Sequence, residues 1–188
     1  MSLKKHTAKK IMVIRHAEKP VGPYQGVDTD GNIDPESLIT KGWQRAGALT
    51  VLFDPFRGTL QSNALSIPQF LYASPPGSES KSKRPVQTIT PLSVRIGLSI
   101  NEGYGKSDYK KMADNAMSES GIVLIAWQHQ DIPHIANHIL GNHSAPQTWP
   151  GDRFDLVWVF DLDTSENGYT LTQVPQNLLA GDLNSIIS

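Results

Sequence analysis

Two short apolar runs in this chain end the same way. Residues 11–14 (Ile-Met-Val-Ile) lead into Arg15-His16, and Ile122–Trp127 leads into Gln128-His129. A third run, Phe70–Ala73, ends in Ser74-Pro75-Pro76 and is followed by Ser82-Lys83-Arg84. Guanidinium groups match oxyanions, phosphate above all, through bidentate charge-assisted hydrogen bonds, and a helix N-terminus adds backbone N–H donors for the same anion. A neutral imidazole nitrogen can serve as a nucleophile or general base near neutral pH. Arg15, His16, Arg84 and His129 could therefore form an anion site around a reactive imidazole, provided the three runs end side by side. A lone strand-end histidine is ordinarily a surface or core residue. Two at equivalent ends, with an arginine beyond a third, read as functional.

The elements that must position these residues follow from the apolar pattern. Short continuous apolar runs are the mark of strands buried on both faces, and ligands of open α/β sheets bind outside the carboxyl ends of such strands. Residues 154–160 form a fourth run of this kind. Between the runs lie helical segments. Thr40–Phe53 begins at a threonine N-cap, and Arg84–Ile96 carries Pro85 in its first turn, with Pro91 expected to kink or restart it. Residues 106–118 and Ile132–Leu140 complete the set. Ser165-Glu166-Asn167-Gly168 reads as a hairpin turn between Leu156–Asp163 and residues 169–174. The pattern predicts a three-layer α/β fold: a mostly parallel sheet with helices on both faces and an antiparallel C-terminal hairpin. The chain, 1–188, reads as a single domain whose first nine residues, rich in lysine, form a flexible tail. Residues 19–39 and 141–152 are long excursions from this frame.

Composition narrows the chemistry. With 188 residues the chain can bury a substantial core. It has no cysteine, which excludes disulfide scaffolds, thiolate metal centres and cysteine nucleophiles. Seventeen Lys+Arg against eighteen Asp+Glu leave a net charge of −1, so no general field holds a nucleic acid. No stretch approaches the ~20 apolar residues of a membrane span, and the run behind the basic start is too short for a signal peptide. A cytoplasmic protein with no membrane partner is the expectation.

The residues then carry a resemblance. Val13-Ile14-Arg15-His16-Ala17-Glu18 resembles the signature of the histidine phosphatase superfamily, the phosphoglycerate-mutase-like fold, with Ala17 where the family usually has glycine. In the same order, Leu38-Ile39-Thr40-Lys41-Gly42-Trp43-Gln44-Arg45-Ala46 is similar to the family's Leu-Thr-x-x-Gly-x-x-Gln-Ala helix start. Ala73-Ser74-Pro75, with Ser82-Lys83-Arg84-Pro85-Val86-Gln87-Thr88, resembles its Ser-Pro and Arg-Ala-x-Gln-Thr segment, stretched by an insertion. Val123-Leu124-Ile125-Ala126-Trp127-Gln128-His129 resembles the strand that ends in the family's second histidine.

The resemblance implies phosphomonoester hydrolysis through a phosphohistidine on His16, needing neither metal nor other cofactor. Arg15, Arg84 and His129 would hold the phosphoryl oxygens, and Ser74, Gln130, Asp131 and Glu18 would border the substrate. Glu18 reads equally as an orienting group and as a surface glutamate. For the general acid, Ile100-Asn101-Glu102-Gly103-Tyr104-Gly105 resembles the segment that supplies it in one branch of the family, so Glu102 is preferred. In the other branch an aspartate directly follows the second histidine; here Gln130 intervenes and Asp131 is one place late. Asp108 is a third candidate. The implied partner is a small phosphorylated substrate or phosphate, its specificity set by residues 19–39, 74–83 and 141–152. Alternatives are a non-catalytic phospholigand-binding module on the same fold, and a phosphomutase.

Other features carry less. His134 and His138 share a helix face at metal-ligand spacing, but no His-Glu-x-x-His motif accompanies them. Asp28-Thr29-Asp30-Gly31-Asn32 hints at a calcium loop, yet its glycine falls two places early and Ile39 stands where a glutamate is required. It reads as a turn. Trp149 and Trp158 read as packing residues, with Trp149 placed to line a pocket mouth.

Overall fold

The computed structural model describes residues 6–166 and 168–188. Six strands form one sheet: β1 (Lys10–Arg15), β2 (Phe70–Ala73), β3 (Ile100–Asn101), β4 (Ile122–Trp127), β5 (Leu156–Asp163) and β6 (Gly168–Pro175). Their spatial order is β3-β2-β4-β1-β5-β6. The β1–β4, β2–β4 and β2–β3 pairs are parallel, whereas β5 runs antiparallel to both β1 and β6. The helices are α1 (Thr40–Phe53), α2 (Arg84–Ile96), α3 (Tyr109–Ser118) and α4 (Ile132–Leu140). Among the described residues, no helix is long and apolar enough to cross a membrane.

Side-chain alternation along each strand builds two cores. Ile11, Val13, Val123, Ile125 and Trp127 face α3 and α4, packing with Met112, Ala116, Ile135 and Ile139. Met12, Ile14, Leu124 and Ala126 face the other way, onto Leu49 and Phe53 of α1 and Ile89 and Leu92 of α2. Because successive side chains leave opposite faces, a strand with no polar position must be covered on both sides. That is why these runs are continuously apolar, and why the fold has three layers.

Three local expectations shift. The apolar run over 154–160 joins the sheet only from Leu156, so β5 takes the bounds read for the hairpin, Leu156–Asp163. Arg153 and Asp155 are engaged with each other (Nε to Oδ1, 2.7 Å) and Asp155 also accepts from Leu183 N. The helix expected over 106–118 opens as a 3₁₀ turn, Lys106–Asp108, before α3. Helix α2 does not restart at Pro91; Ile89 and Leu92, both fully buried, anchor the two sides of the proline to one core. Left-handed Gly97 and Gly141 end α2 and α4, as the loss of Cβ permits.

The nine-residue tail is described from His6 onward, residues 1–5 lying outside the described residues. Thr7 and Ala8 donate backbone hydrogen bonds to Met117 O, Lys9 donates to Gly121 O, and Ala8 is fully buried. The chain is tied down from Thr7, ahead of β1. Asn167 of the expected hairpin turn also lies outside the described residues.

Candidate active site

The three parallel strands end level with one another. Arg15 of β1 is in register with Trp127 of β4, and Ala73 of β2 with Ala126. His16 N then donates to Trp127 O at 2.9 Å, which continues the pairing one residue beyond the strand. His16, Ser74, Gln128, His129 and Gln130 are thereby brought to one sheet edge, where Arg84 at the N-terminus of α2 joins them. These six residues line one pocket of about 150 Å³, together with Lys19, Ser80, Ser82, Pro85 and Lys106.

The imidazole of His16 is 6% exposed and its tautomer follows from its partner. Nδ1 lies 2.8 Å from Ala17 O. A carbonyl only accepts, so Nδ1 carries the proton and Nε2 keeps its lone pair. Burial pushes the His16 pKa down to about 3; the Ala17 hydrogen bond opposes this, and Arg15, Arg84 and His129 add to it. The ring is neutral at any pH near 7, as a nitrogen nucleophile requires. For His129, burial, then Arg15 and Lys19, lower the pKa to about 4.

Arg15, 1% exposed, does not itself line that pocket, but its charge bears on both His16 and His129. Its Nη1 donates to Gly151 O (2.8 Å), Arg153 O (2.9 Å) and Pro150 O (3.4 Å), and its guanidinium carbon stacks 3.7 Å from the centre of the Phe154 ring. Stacking and the Nη1 bonds hold the plane still while Nε and Nη2, both buried, have no partner. Those two N–H groups form the edge that pairs with two oxygens of an anion. Arg84 Nε and His129 Nδ1 are likewise buried and unpartnered. Burial lowers the Arg15 pKa to about 10, against the fields of Glu18 and Asp152, so it remains a cation at neutral pH.

Other expected site residues fall elsewhere. Glu18 gives its carboxylate to Arg45, which reaches both oxygens and passes on to Asp182 (2.7 Å) and Gln176 (3.0 Å). Burial opposes the Arg45 charge, but its hydrogen bonds to Asp182 and Glu18 raise its pKa. The network ties the loop after His16 to α1 and the C-terminal segment. Asp131 stands at the start of α4 and accepts from Gln128 Nε2. Asp108 pairs with Lys111, and Glu102 is exposed. Among the described residues, no carboxylate lines the His16 pocket.

Helix α1 closes against the loop after His16 through a glycine. A Cβ on Gly42 would stand 2.6 Å from Glu18 O, and Ile39 N donates to that same oxygen at 3.1 Å. Gly42→Ala must push α1 off the loop, and is expected to destabilise the fold by about 1–3 kcal/mol. Urea unfolding of the variant measures this; an unchanged midpoint would show that the loop yields freely. Thr88 braces the other side, accepting from Ala17 N and donating to Arg84 O (2.8 and 2.7 Å).

The remaining candidate features resolve simply. His134 stacks on Tyr109, and His138 Nε2 lies 3.0 Å from Asp114 Oδ1, so the two histidines have separate partners. The Asp28 carboxylate accepts from Asp30 N and Asn32 N, closing a turn. Trp149 is buried against Trp158 and donates to Arg153 O, holding in place a carbonyl that Arg15 uses. Sequence reading missed Lys19, Lys106 and Phe154. Phe154 stood at the head of an apolar run and so passed for a strand residue.

No protein-family model matches the chain, and no curated protein matches it in sequence. Solved structures match it in fold. An Escherichia coli protein assigned as an alpha-ribazole-5′-P phosphatase superposes with a TM-score of 0.55 at 12% identity, over 93% of this chain and 100% of its own. The alpha-ribazole phosphatase of Shigella flexneri gives 0.51 at 13% identity, covering 94% and 96%. A mutant phosphoserine phosphatase of Entamoeba histolytica, in complex with phosphoserine, gives 0.50 at 14% identity, covering 87% and 94%. With its sheet order, its three layers and these neighbours, the chain has the fold of the histidine phosphatase superfamily that its motifs resemble.

Proposed function

We propose that this protein is a phosphomonoesterase that works through a phosphohistidine on His16, without a metal. The observation that carries the reading is a neutral His16 Nε2 beside buried, unpartnered nitrogens of Arg15, Arg84 and His129. A buried donor without a partner costs about 1–3 kcal/mol, and more when charged. A phosphoryl group between them supplies acceptors for all of these donors at once. The phosphatase neighbours lend support, because they share this chain's fold.

In the first step the His16 Nε2 lone pair attacks phosphorus. The N–P bond forms as the bond to the leaving oxygen breaks, and the departing oxygen takes a proton from solvent, which regains one from the attacking water in the second step. Charge on the equatorial oxygens meets Arg15 Nε–H and Nη2–H, Arg84 and His129, while Ser74, Gln128 and Gln130 offer neutral contacts. In the second step water attacks phosphorus, the N–P bond breaks, and phosphate leaves with His16 neutral again. Nothing in this sequence needs Glu18, whose part is to anchor the loop through Arg45.

Turnover of a nitrophenyl phosphate in excess EDTA, with acid quench to trap an acid-labile phosphoenzyme, tests this reading. Turnover lost to the chelator, or turnover with no trapped phosphoenzyme, would count against it. The carboxylate-free pocket favours one second reading, an anion-binding module, which predicts thermal stabilisation by phosphate and no turnover of any ester.

The same feature bears on the general acid. With no carboxylate at the pocket wall, protonation of the leaving oxygen is the weak step. Nitrophenyl phosphate is expected to turn over at least about 10²-fold faster in kcat than an alkyl phosphate of similar size, since general acid–base help is worth 10²–10⁴. Glu102→Gln is expected to change either rate by less than about threefold. A selective loss on the alkyl ester would instead install Glu102 as the acid.

A further inference from the structure

A second cleft of the molecule does not include His16 in its lining. It encloses about 800 Å³ and adjoins the catalytic pocket, with Lys19 lining both. Phe154 and Gly151 form the contact between the two. The Phe154 ring centre is 6.3 Å from that of His16, and a Cβ on Gly151 would sit 3.7 Å from His129 Nε2. Ile39, nearly buried, and half-buried Phe154 make the inner side, and the outer side is Val21, Pro23 and Tyr24.

The outer side is a built feature. Val21 and Tyr24 exchange both backbone hydrogen bonds (3.3 and 3.1 Å) across a tight turn in which Gly22 has φ +56° and Pro23 follows. This turn fixes two large apolar side chains in an exposed position, 66% and 64% accessible. Its base is fixed too. A Cβ on Gly26 would stand 2.2 Å from Asp34 O, and Trp43 Nε1 donates to Val27 O at 2.9 Å. Exposing apolar surface on a constrained turn is unfavourable in water unless something covers it. Of the two carboxylates that line the cleft, Glu18 is already neutralised by Arg45, and Asp152 is exposed to solvent.

We propose that this cleft receives the leaving-group end of the substrate, and that the substrate is a phosphate ester of a large apolar body, aromatic or branched aliphatic. The inference rests on His16 and its neighbours being the phosphoryl site. A dianionic phosphoryl group held there directs its ester oxygen outward past Lys19, and the next atoms meet Phe154, Ile39, Val21 and Tyr24. A small polar ester would leave that surface wet. A hydrophobic one removes it from water on a turn that needs no reordering, so little of the gain is lost to entropy.

Non-hydrolysable phosphonates test this independently of catalysis. By titration calorimetry, 3-phenylpropylphosphonate is expected to bind roughly ten- to a hundredfold more tightly than methylphosphonate, the two carrying the same charged head. Val21→Asp and Tyr24→Ser should bring the two Kd values together, while Tyr24→Phe keeps them apart. Equal affinities in the wild type, or a preference that both disruptive variants retain, overturns the cleft assignment. Preferential binding with no ester turned over leaves the cleft standing and removes the hydrolase reading. Turnover without the preference does the reverse, and no binding of either phosphonate overturns both.

Discussion

His16→Asn is expected to abolish turnover of nitrophenyl phosphate, lowering kcat by at least about 10⁴-fold, because it removes the Nε2 lone pair that the proposed mechanism uses to take up the phosphoryl group. Asparagine is the informative replacement. Its amide can still donate to Ala17 O, so the loop geometry survives while the lone pair of Nε2 is lost. The same variant carries a stability readout. The folded His16 pKa, about 3, lies below the ordinary value near 6.5, so between these limits the unfolded chain binds the extra proton. His16 therefore costs the protein stability as pH falls from about 6.5 towards 3, by up to about 1.4 kcal/mol per pH unit, and leaves stability unaffected above 6.5. Urea unfolding at pH 7 and pH 5 should show the wild type weakening more than His16→Asn. Equal weakening would mean that His16 is solvated, and full turnover by the variant would end the phosphohistidine mechanism.

Arg15→Lys is expected to lower kcat/KM by roughly 10²–10³-fold, despite keeping a positive charge. The guanidinium does two jobs at once in this structure. Its Nη1 ties together the carbonyls of Pro150, Gly151 and Arg153, and its Nε and Nη2 are buried without a partner. An ammonium can do one or the other. Thermal stabilisation by inorganic phosphate separates the two roles: saturation at a hundred times Kd gives the wild type about 2.7 kcal/mol, and the lysine variant should lose most of it. A variant that kept the phosphate effect but lost activity would assign Arg15 to holding residues 150–153 and not to the anion.

The elements and the site were legible to different depths. Helices α1, α2 and α4 and strands β2 and β4 could be read to the residue, most of them bounded by local chemistry: Pro85 in a first turn, a glycine end, an apolar run stopped by a polar residue. The threonine cap expected for α1 does not form, since Ile39 is the N-cap and no side chain caps that helix. Where neighbours distant in sequence compete for the backbone, the reading slipped. Arg153 and Asp155 delay β5, and the packing of Ile89 and Leu92 carries α2 through Pro91. The two-residue strand β3 has no pattern long enough to detect; it forms because Leu71 and Tyr72 offer an edge to pair with.

The sequence by itself determined which side chains the proposed phosphoryl transfer has at its disposal. Arg15-His16 and Gln128-His129 follow apolar runs, and in parallel strands such runs end on the same edge. It also determined that the nucleophile is not a thiol, since the chain has no cysteine. Tertiary structure decided the rest. Glu18 became an anchor because Arg45 bridges its carboxylate to that of Asp182, which lies 137 residues beyond Arg45 in the chain. The His16 proton was placed on Nδ1 by one carbonyl, and the Arg15 edge was left free because three others occupy Nη1. Whether a carboxylate or a lysine lines a pocket depends on where loops return, and that is set by contacts no local pattern records.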